Sequence, residues 1–264
     1  MTTAIVVPAR HASTRYPGKP LVPLTGAGGR AKPLIRRSWE AATAVPGVER
    51  VIVATDDARI AGAARGFGAE VAMTPDTCRN GTERCAAVLP LLEGVDLVVN
   101  LQGDAPLTPP GFVTALITAM EADASIQVAT PAVRATSQVH RRLLDDQAAG
   151  RVGGTTAAIA TSGDALYFSK AVIPHVAPAQ IGEAGLPLFL HIGVYAYRRA
   201  ALERYAAWAP SPLEELEGLE QLRFLEHCMG VRVIEVEPAG DMWELNNPED
   251  VAPIEAALAA RGLD

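Results

Sequence analysis

Apolar residues fall mostly into short, β-branched runs that alternate with Ala-rich stretches of helical spacing. The first run is Ala4 to Val7, followed by Val51 to Thr55, Glu70 to Met73 and Leu97 to Leu101, and Ala58 to Phe67 is one of the intervening helical stretches. Short apolar runs bounded by turn residues predict buried strands. Their alternation with helices predicts a mainly parallel sheet covered on both faces. After about Pro131 the rhythm changes: Ala165 to Ser169 and Ile192 to Tyr197 are aromatic, strand-like runs separated by a long polar loop. They predict an antiparallel portion. The tail predicts a helix over Leu213 to Met229, a strand over Val231 to Val236 and a closing helix from Pro248. Asn247 is placed to cap that last helix, and Glu249 and Asp250 suit its positive end. The expected architecture is α/β, one domain over residues 1–264 with a smaller inserted lobe at about 132–200.

Composition narrows the classes of function. With 23 Lys and Arg against 30 Asp and Glu, the formal net charge is -7, so no global positive field exists to hold a nucleic acid or an anionic membrane. Any bound anion must be gripped locally. The three cysteines, Cys78, Cys85 and Cys228, form no C-x-x-C pair, which favours a reducing compartment over a disulfide framework or a zinc site. No run approaches the ~20 apolar residues of a membrane helix, and the start of the chain does not read as a secretory leader. A cytoplasmic protein is expected.

The candidate chemistry begins directly after the first strand. The loop Pro8-Ala9-Arg10-His11-Ala12-Ser13-Thr14-Arg15-Tyr16-Pro17-Gly18-Lys19-Pro20-Leu21 packs three cations, Arg10, Arg15 and Lys19, and two hydroxyls into one turn. The C-terminal edge of a parallel sheet is where ligands sit. The mutual repulsion of the cations is offset by a polyanion such as a triphosphate. An arbitrary Arg/Lys cluster is more often a solvated loop; its place after a buried strand shifts the balance. The loop is neither a Walker loop nor a G-x-G-x-x-G fingerprint, which weighs against ATPase and dehydrogenase readings. Asp104 follows Gly103 at the end of the run Leu97 to Leu101. A carboxylate at that edge offers a hard oxygen to Mg²⁺, whereas a lone Gly-Asp is more commonly a turn. The stretch Thr77 to Arg84 opens a helix whose amides can address a base or phosphate, or are simply capped by Asn80 or Thr82. His191 and Tyr195, four residues apart, share one face of an extended strand. Glu220 and Gln221 flank a helical stripe of Leu219, Leu222 and Leu225, a position that is usually a solvated face.

Several ordered blocks resemble the 3-deoxy-manno-octulosonate cytidylyltransferase (CMP-Kdo synthetase) family. They are Val7-Pro8-Ala9-Arg10 with Ala12-Ser13-Thr14-Arg15 and Pro17-Gly18-Lys19-Pro20-Leu21, Val53-Ala54-Thr55-Asp56, Gly81-Thr82-Glu83-Arg84, Asn100-Leu101-Gln102-Gly103-Asp104, Ala165 to Ser169, His191 to Tyr195, Pro210 to Glu214 and Leu219 to Arg223. The resemblance implies a nucleotidyltransferase fold that is GT-A-like and Rossmann-like, a cytoplasmic homodimer acting in lipopolysaccharide biosynthesis, and transfer of CMP from CTP to an acidic sugar with release of pyrophosphate. It implies that Ala9, Arg10, Ser13, Arg15, Lys19, Thr55, Arg79, Asn80, Gly81 and Asp104 hold the nucleotide. Arg10, Arg15, Lys19 and Asp104 would carry the chemistry, and Gln102, His191, Tyr195, Glu220 and Gln221 would meet the sugar acid. Mg²⁺ is the implied cofactor, on Asp104 and a second ligand aligned with Asn246.

The pattern departs from the family at defined points. Asn246 stands where the family has an Asp, and Glu244 lies two residues earlier. Ala105 replaces a Glu, Leu190 an Arg, Thr155 to Ile159 a Val-Lys-Val-Val run, and Asn80 a common Ser. An intact nucleotide loop beside an altered acceptor side leaves two alternatives: CMP transfer to another acid, such as a modified ulosonic acid or a phosphonate, or a catalytically silent CTP-binding protein. A GT-A-like glycosyltransferase needs an Asp-x-Asp motif, which Gly103-Asp104-Ala105-Pro106 is not.

Overall fold

The computed structural model of the chain describes residues 1–12, 15–181, 185–238, 240 and 243–264. Two compact units emerge, Met1–Thr114 with Ala239–Asp264, and Ala115–Pro238. The second unit thus begins earlier and ends later than the 132–200 expected for the inserted lobe.

In the first unit, β1 (Thr3–Ala9) is followed by the short hairpin β2 (Pro23–Thr25) and β3 (Ala31–Pro33), α1 (Leu34–Thr43), β4 (Arg50–Thr55), α2 (Ala58–Gly66), β5 (Glu70–Met73), α3 (Gly81–Val88) and β6 (Leu97–Leu101). Strands β5, β4, β1 and β6 lie side by side in that order. Every pair is parallel, with Ala9 opposite Thr55 and Val6 opposite Asn100. All residues of β1 and β6 are buried, as a sheet covered on both faces requires. Strand β1 runs on through Pro8, where the sequence pattern ends it. The missing N–H costs nothing there, because β6 has stopped pairing and only the Pro8 carbonyl is engaged, by the Gly103 amide at 3.2 Å.

Helix α4 (Pro110–Ala122) leads into the second unit, which contains β7 (Val128–Arg134), α5 (Ser137–Ala148), β8 (Thr156–Ile159), β9 (Ala165–Ser169), β10 (Phe189–His191), β11 (Val194–Arg198), α6 (Arg199–Ala207), α7 (Pro212–Glu217), α8 (Leu222–Glu226) and β12 (Val231–Glu235). Its pairing is antiparallel, as expected, except for β12 beside β7. Two expectations are corrected here. The strand expected over Ile192 to Tyr197 starts two residues late, at Val194: Ile192 and Gly193 separate it from β10, with Val194 N–H folding back onto Ile192 O at 2.7 Å, so β10 and β11 lie end to end along one edge of β7. The helix expected over Leu213 to Met229 is two helices, because Gly218 takes the left-handed conformation at φ 62° and closes α7.

The chain then returns to the first unit and ends in α9 (Val251–Ala260). Asn247 caps its approach in a reciprocal box with Asp250. Leu24, Leu34, Leu107, Leu245, Ile254, Ala257 and Leu258 form one buried cluster, with Tyr16 packed against it. That cluster ties residue 245, late in the chain, to the neighbourhood of the cationic loop.

Candidate active site

The cationic loop is closed by Gly18, whose φ of 73° and approach to His11 suit a residue without Cβ. Gly18 N–H donates to His11 O at 3.0 Å, and Lys19 then starts a short 3-10 turn. The Lys19 ammonium, mostly covered, donates to Asp104 Oδ2 at 2.5 Å and to the Leu245 carbonyl at 3.0 Å. Arg15 donates from Nη2 to Asn246 Oδ1 at 2.7 Å. Arg10 is exposed where β1 ends. Ser13 lies outside the described residues.

Asp104 owes its place to two close approaches. A Cβ on Gly103 would stand 2.5 Å from Pro8 O, so only glycine lets the end of β6 press against β1. Ser38 Oγ then donates to Gly103 O at 2.9 Å, and Leu245 N–H donates to Asp104 O at 2.9 Å. Glu244 is held in the same neighbourhood: withdrawal from water and then the Asp104 carboxylate push it up to about 7, against the pull of Asn246, Lys19 and Arg15. The residue nevertheless keeps an exposed flank.

Asn80 caps α3 by accepting the Glu83 N–H at 2.8 Å, and Glu83 accepts the Arg79 N–H at 2.7 Å. Gly81 is pressed between two amides: a Cβ there would be 2.8 Å from Asn100 Nδ2 and 2.9 Å from Gln102 Nε2. Gln102, expected on the sugar, therefore lies beside the helix start expected at the base. Ala9 and Thr55, paired across β1 and β4, are buried, and the Thr55 hydroxyl accepts the Asp57 N–H at 3.2 Å. Both form the floor of the strand edge.

In the second unit, the expected sugar-side residues do meet. The His191 and Tyr195 rings lie 5.5 Å apart, although they stand on separate strands rather than on one face of a single strand. Thr130 lies under them. Its hydroxyl donates to Val194 O at 2.7 Å, which leaves its lone pair to accept from His191 Nε2 at 2.9 Å. The neutral imidazole so oriented has Nδ1 as its acceptor. Burial lowers His191 to about 3. Tyr195 donates to Gln221 Oε1 at 3.0 Å. Gln221 is buried rather than solvated because it sits at the start of α8, after the Gly218 break. Its Nε2 has no hydrogen-bond partner among the described residues. Glu220 is half-buried beside it.

Four supporting residues escaped the sequence reading. Arg84, almost fully buried, bonds Thr74 Oγ1 and lies 3.5 Å from Asp56, fixing α3 to the end of β4. Asn100 is buried with neither amide atom partnered among the described residues. Arg223 makes a bidentate pair with Glu214 at 2.6 Å for both bonds, holding α8 to α7. Thr130 carries no sequence signal at all. Arg84 and Arg223 were visible as cations within the quoted family blocks, with nothing to show that they face inward.

A parallel sheet with a cationic loop at its C-terminal edge, facing a carboxylate on the neighbouring strand end, is an arrangement suited to a nucleotidyltransferase. The family described as Cytidylyltransferase matches residues 4–230. The 3-deoxy-manno-octulosonate cytidylyltransferase of Maricaulis maris (strain MCS10) is 44% identical over 264 residues, 99% of each chain. That of Myxococcus xanthus (strain DK1622) is 40% identical, covering 98% of each. A solved CMP:2-keto-3-deoxy-manno-octonic acid synthetase complexed with CTP superposes with a TM-score of 0.84 at 34% identity, covering 99% of this chain and 100% of its own. The chain belongs to the 3-deoxy-manno-octulosonate cytidylyltransferase family.

Proposed function

We propose that the protein transfers CMP from CTP to 3-deoxy-manno-octulosonate, releasing pyrophosphate. The observation that carries this reading is the convergence of Arg15, Lys19 and Asp104 at the edge of β1 and β6, in a chain that shares its fold at 34% identity with a CTP-bound synthetase. An acceptor oxygen of the sugar attacks the α-phosphorus of CTP, the bond to the β-phosphate oxygen breaks, and pyrophosphate leaves with that electron pair. Arg10, Arg15 and Lys19 face the triphosphate charge, and such transfer needs chiefly positioning and charge neutralisation. Asn80 and Gly81, at the start of α3, address the base; His191, Tyr195, Glu220 and Gln221 meet the sugar acid. The relatives' names favour Kdo over the other acids that Ala105 and Leu190 bring to mind.

Magnesium fits the donor set, which is oxygen-only: the Asp104 carboxylate, with the Glu244 carboxylate near enough for Asp104 to disfavour its ionisation. When bound, the ion supplies Lewis-acid neutralisation of phosphate oxygens. Asp104 and Glu244 would hold it, while Lys19 would exchange its carboxylate partner for phosphate. A cytoplasmic homodimer in lipopolysaccharide biosynthesis completes the reading; the described residues contain no helix long and apolar enough to cross a membrane, and the three cysteines are free thiols.

The test is pyrophosphate release with CTP, Mg²⁺ and a panel of acids. Turnover with Kdo above every other acid is expected. CTP binding without pyrophosphate from any acid would instead identify a silent binding protein, and turnover confined to another ulosonic acid or a phosphonate would correct the acceptor.

A further inference from the structure

Two cations of the phosphate loop dock on the same stretch of chain by different means. Lys19 is neutralised, its ammonium 2.5 Å from the Asp104 carboxylate. Arg15 instead donates to the amide oxygen of Asn246 at 2.7 Å. An amide oxygen accepts a hydrogen bond but carries no charge. Asn246 thereby orients Arg15 without itself adding a counter-charge; the carboxylate that Arg15 acts on in this neighbourhood is Glu244.

Asn246 is itself firmly set. Its backbone N–H donates to Asp250 Oδ2 at 2.9 Å, and the Asn247 N–H donates to the same oxygen at 2.7 Å. The preceding residue, Leu245, is fully buried in the apolar cluster. Asn246 Nδ2 leans toward Glu244 Oε2 at 3.5 Å, which turns the amide so that Oδ1 faces Arg15. A divalent ion on that same oxygen would compete with the Arg15 N–H for it and stand beside the guanidinium, with the Glu244 carboxylate offsetting only part of the repulsion.

We infer that Asn246 is a positioning residue that holds Arg15 ready for a polyphosphate without neutralising it, and is not a ligand of the divalent ion. The inference rests on the phosphate reading of the loop. It sets aside the metal role that the resemblance implies for position 246.

The experiment titrates the parent, Asn246→Ala, Asn246→Asp, Arg15→Ala and the Arg15→Ala/Asn246→Ala double variant. Inorganic tripolyphosphate and CTP are the ligands in EDTA, and Mn²⁺ binding is followed separately by the paramagnetic signal of the free ion. Asn246→Ala is expected to weaken tripolyphosphate binding about fivefold, the scale of one hydrogen bond. The double variant should be no worse than Arg15→Ala alone, and Mn²⁺ affinity should stay within about twofold because no ligand is lost. Asn246→Asp, nearly isosteric and so folded alike, should also weaken tripolyphosphate, since its carboxylate neutralises Arg15. Additive losses in the double variant, unchanged or tighter anion binding by Asn246→Asp, or a tenfold loss of Mn²⁺ in Asn246→Ala would each overturn the inference. A parent that binds tripolyphosphate but not CTP would defeat the cytidylyl reading and leave this one standing; a parent that binds neither defeats both.

Discussion

In the first unit the candidate groups Arg10, Arg15, Lys19 and Asp104 are charged and sit on loops; in the second, Thr130, His191, Tyr195 and Gln221 are neutral and wedged between strands and a helix start, with the Glu220 carboxylate beside them. Lys19 and Asp104 satisfy each other across two loop ends. Thr130, His191, Tyr195 and Gln221 form two short hydrogen-bonded links within a packed interior. On the proposed function, a triphosphate would repay the cost of holding like charges together, so the first-unit end can be built from exchangeable ion pairs. A sugar acid bearing several hydroxyls would offer weaker, directional bonds, and on the same proposal its partners are fixed in advance by packing.

The contrast can be broken most forcefully at Asp104. Asp104→Asn should lower turnover by ~10³-fold in a pyrophosphate-release assay, the scale of losing charge stabilisation at phosphoryl transfer. Retention of a tenth of the activity would place the neutralising charge elsewhere. The second unit should answer in stability instead. Arg223→Met takes the guanidinium counter-charge from the buried Glu214 carboxylate, leaving it the Tyr205 hydroxyl and the Ser211 N–H, and should cost about 3–5 kcal/mol in urea unfolding, read best on this unit's aromatic signal. A smaller effect is expected from Tyr195→Phe. Losing the 3.0 Å bond to Gln221 is worth about 1 kcal/mol, seen as a severalfold rise in KM for the sugar acid with KM for CTP unchanged. A matching rise for CTP would show that the two ends are not separate devices.

The mildest test is pH. His191 is held near 3 in the folded chain, below its ordinary 6.5, so the unfolded chain takes up the proton first as pH falls. The stability it contributes is complete above 6.5 and declines between 6.5 and about 3. His191→Gln should flatten the urea midpoint over that window, and an unaltered slope would assign the acid sensitivity to other groups.

How much of this was legible depended on whether the information was local. Strands Glu70–Met73, Leu97–Leu101 and Ala165–Ser169 match their apolar runs residue for residue, since a buried run and its turn residues lie together in the chain. The break at Ile192 and Gly193 was hidden because both flanks are apolar and β-forming. Gly218 was hidden among leucines that carry helical spacing on either side. The side-chain partners were less legible still. Arg15 and Asn246 are 231 positions apart, and no spacing rule relates them. Gln221 read as a solvated flank because its burial follows from the break at Gly218, not from its own neighbours.

The distance between Arg15 and its anchor also governs when the grip on nucleotide can first exist. A ribosome releases the cationic loop early, yet Leu245, Asn246 and Asp250 emerge only after the whole second unit and every strand of the first have been made. The early parallel strands can form while synthesis continues, but a nascent polypeptide halted before position 244 would have its cations loose in solvent. Prematurely terminated products should therefore neither sequester CTP nor compete with the finished enzyme for it.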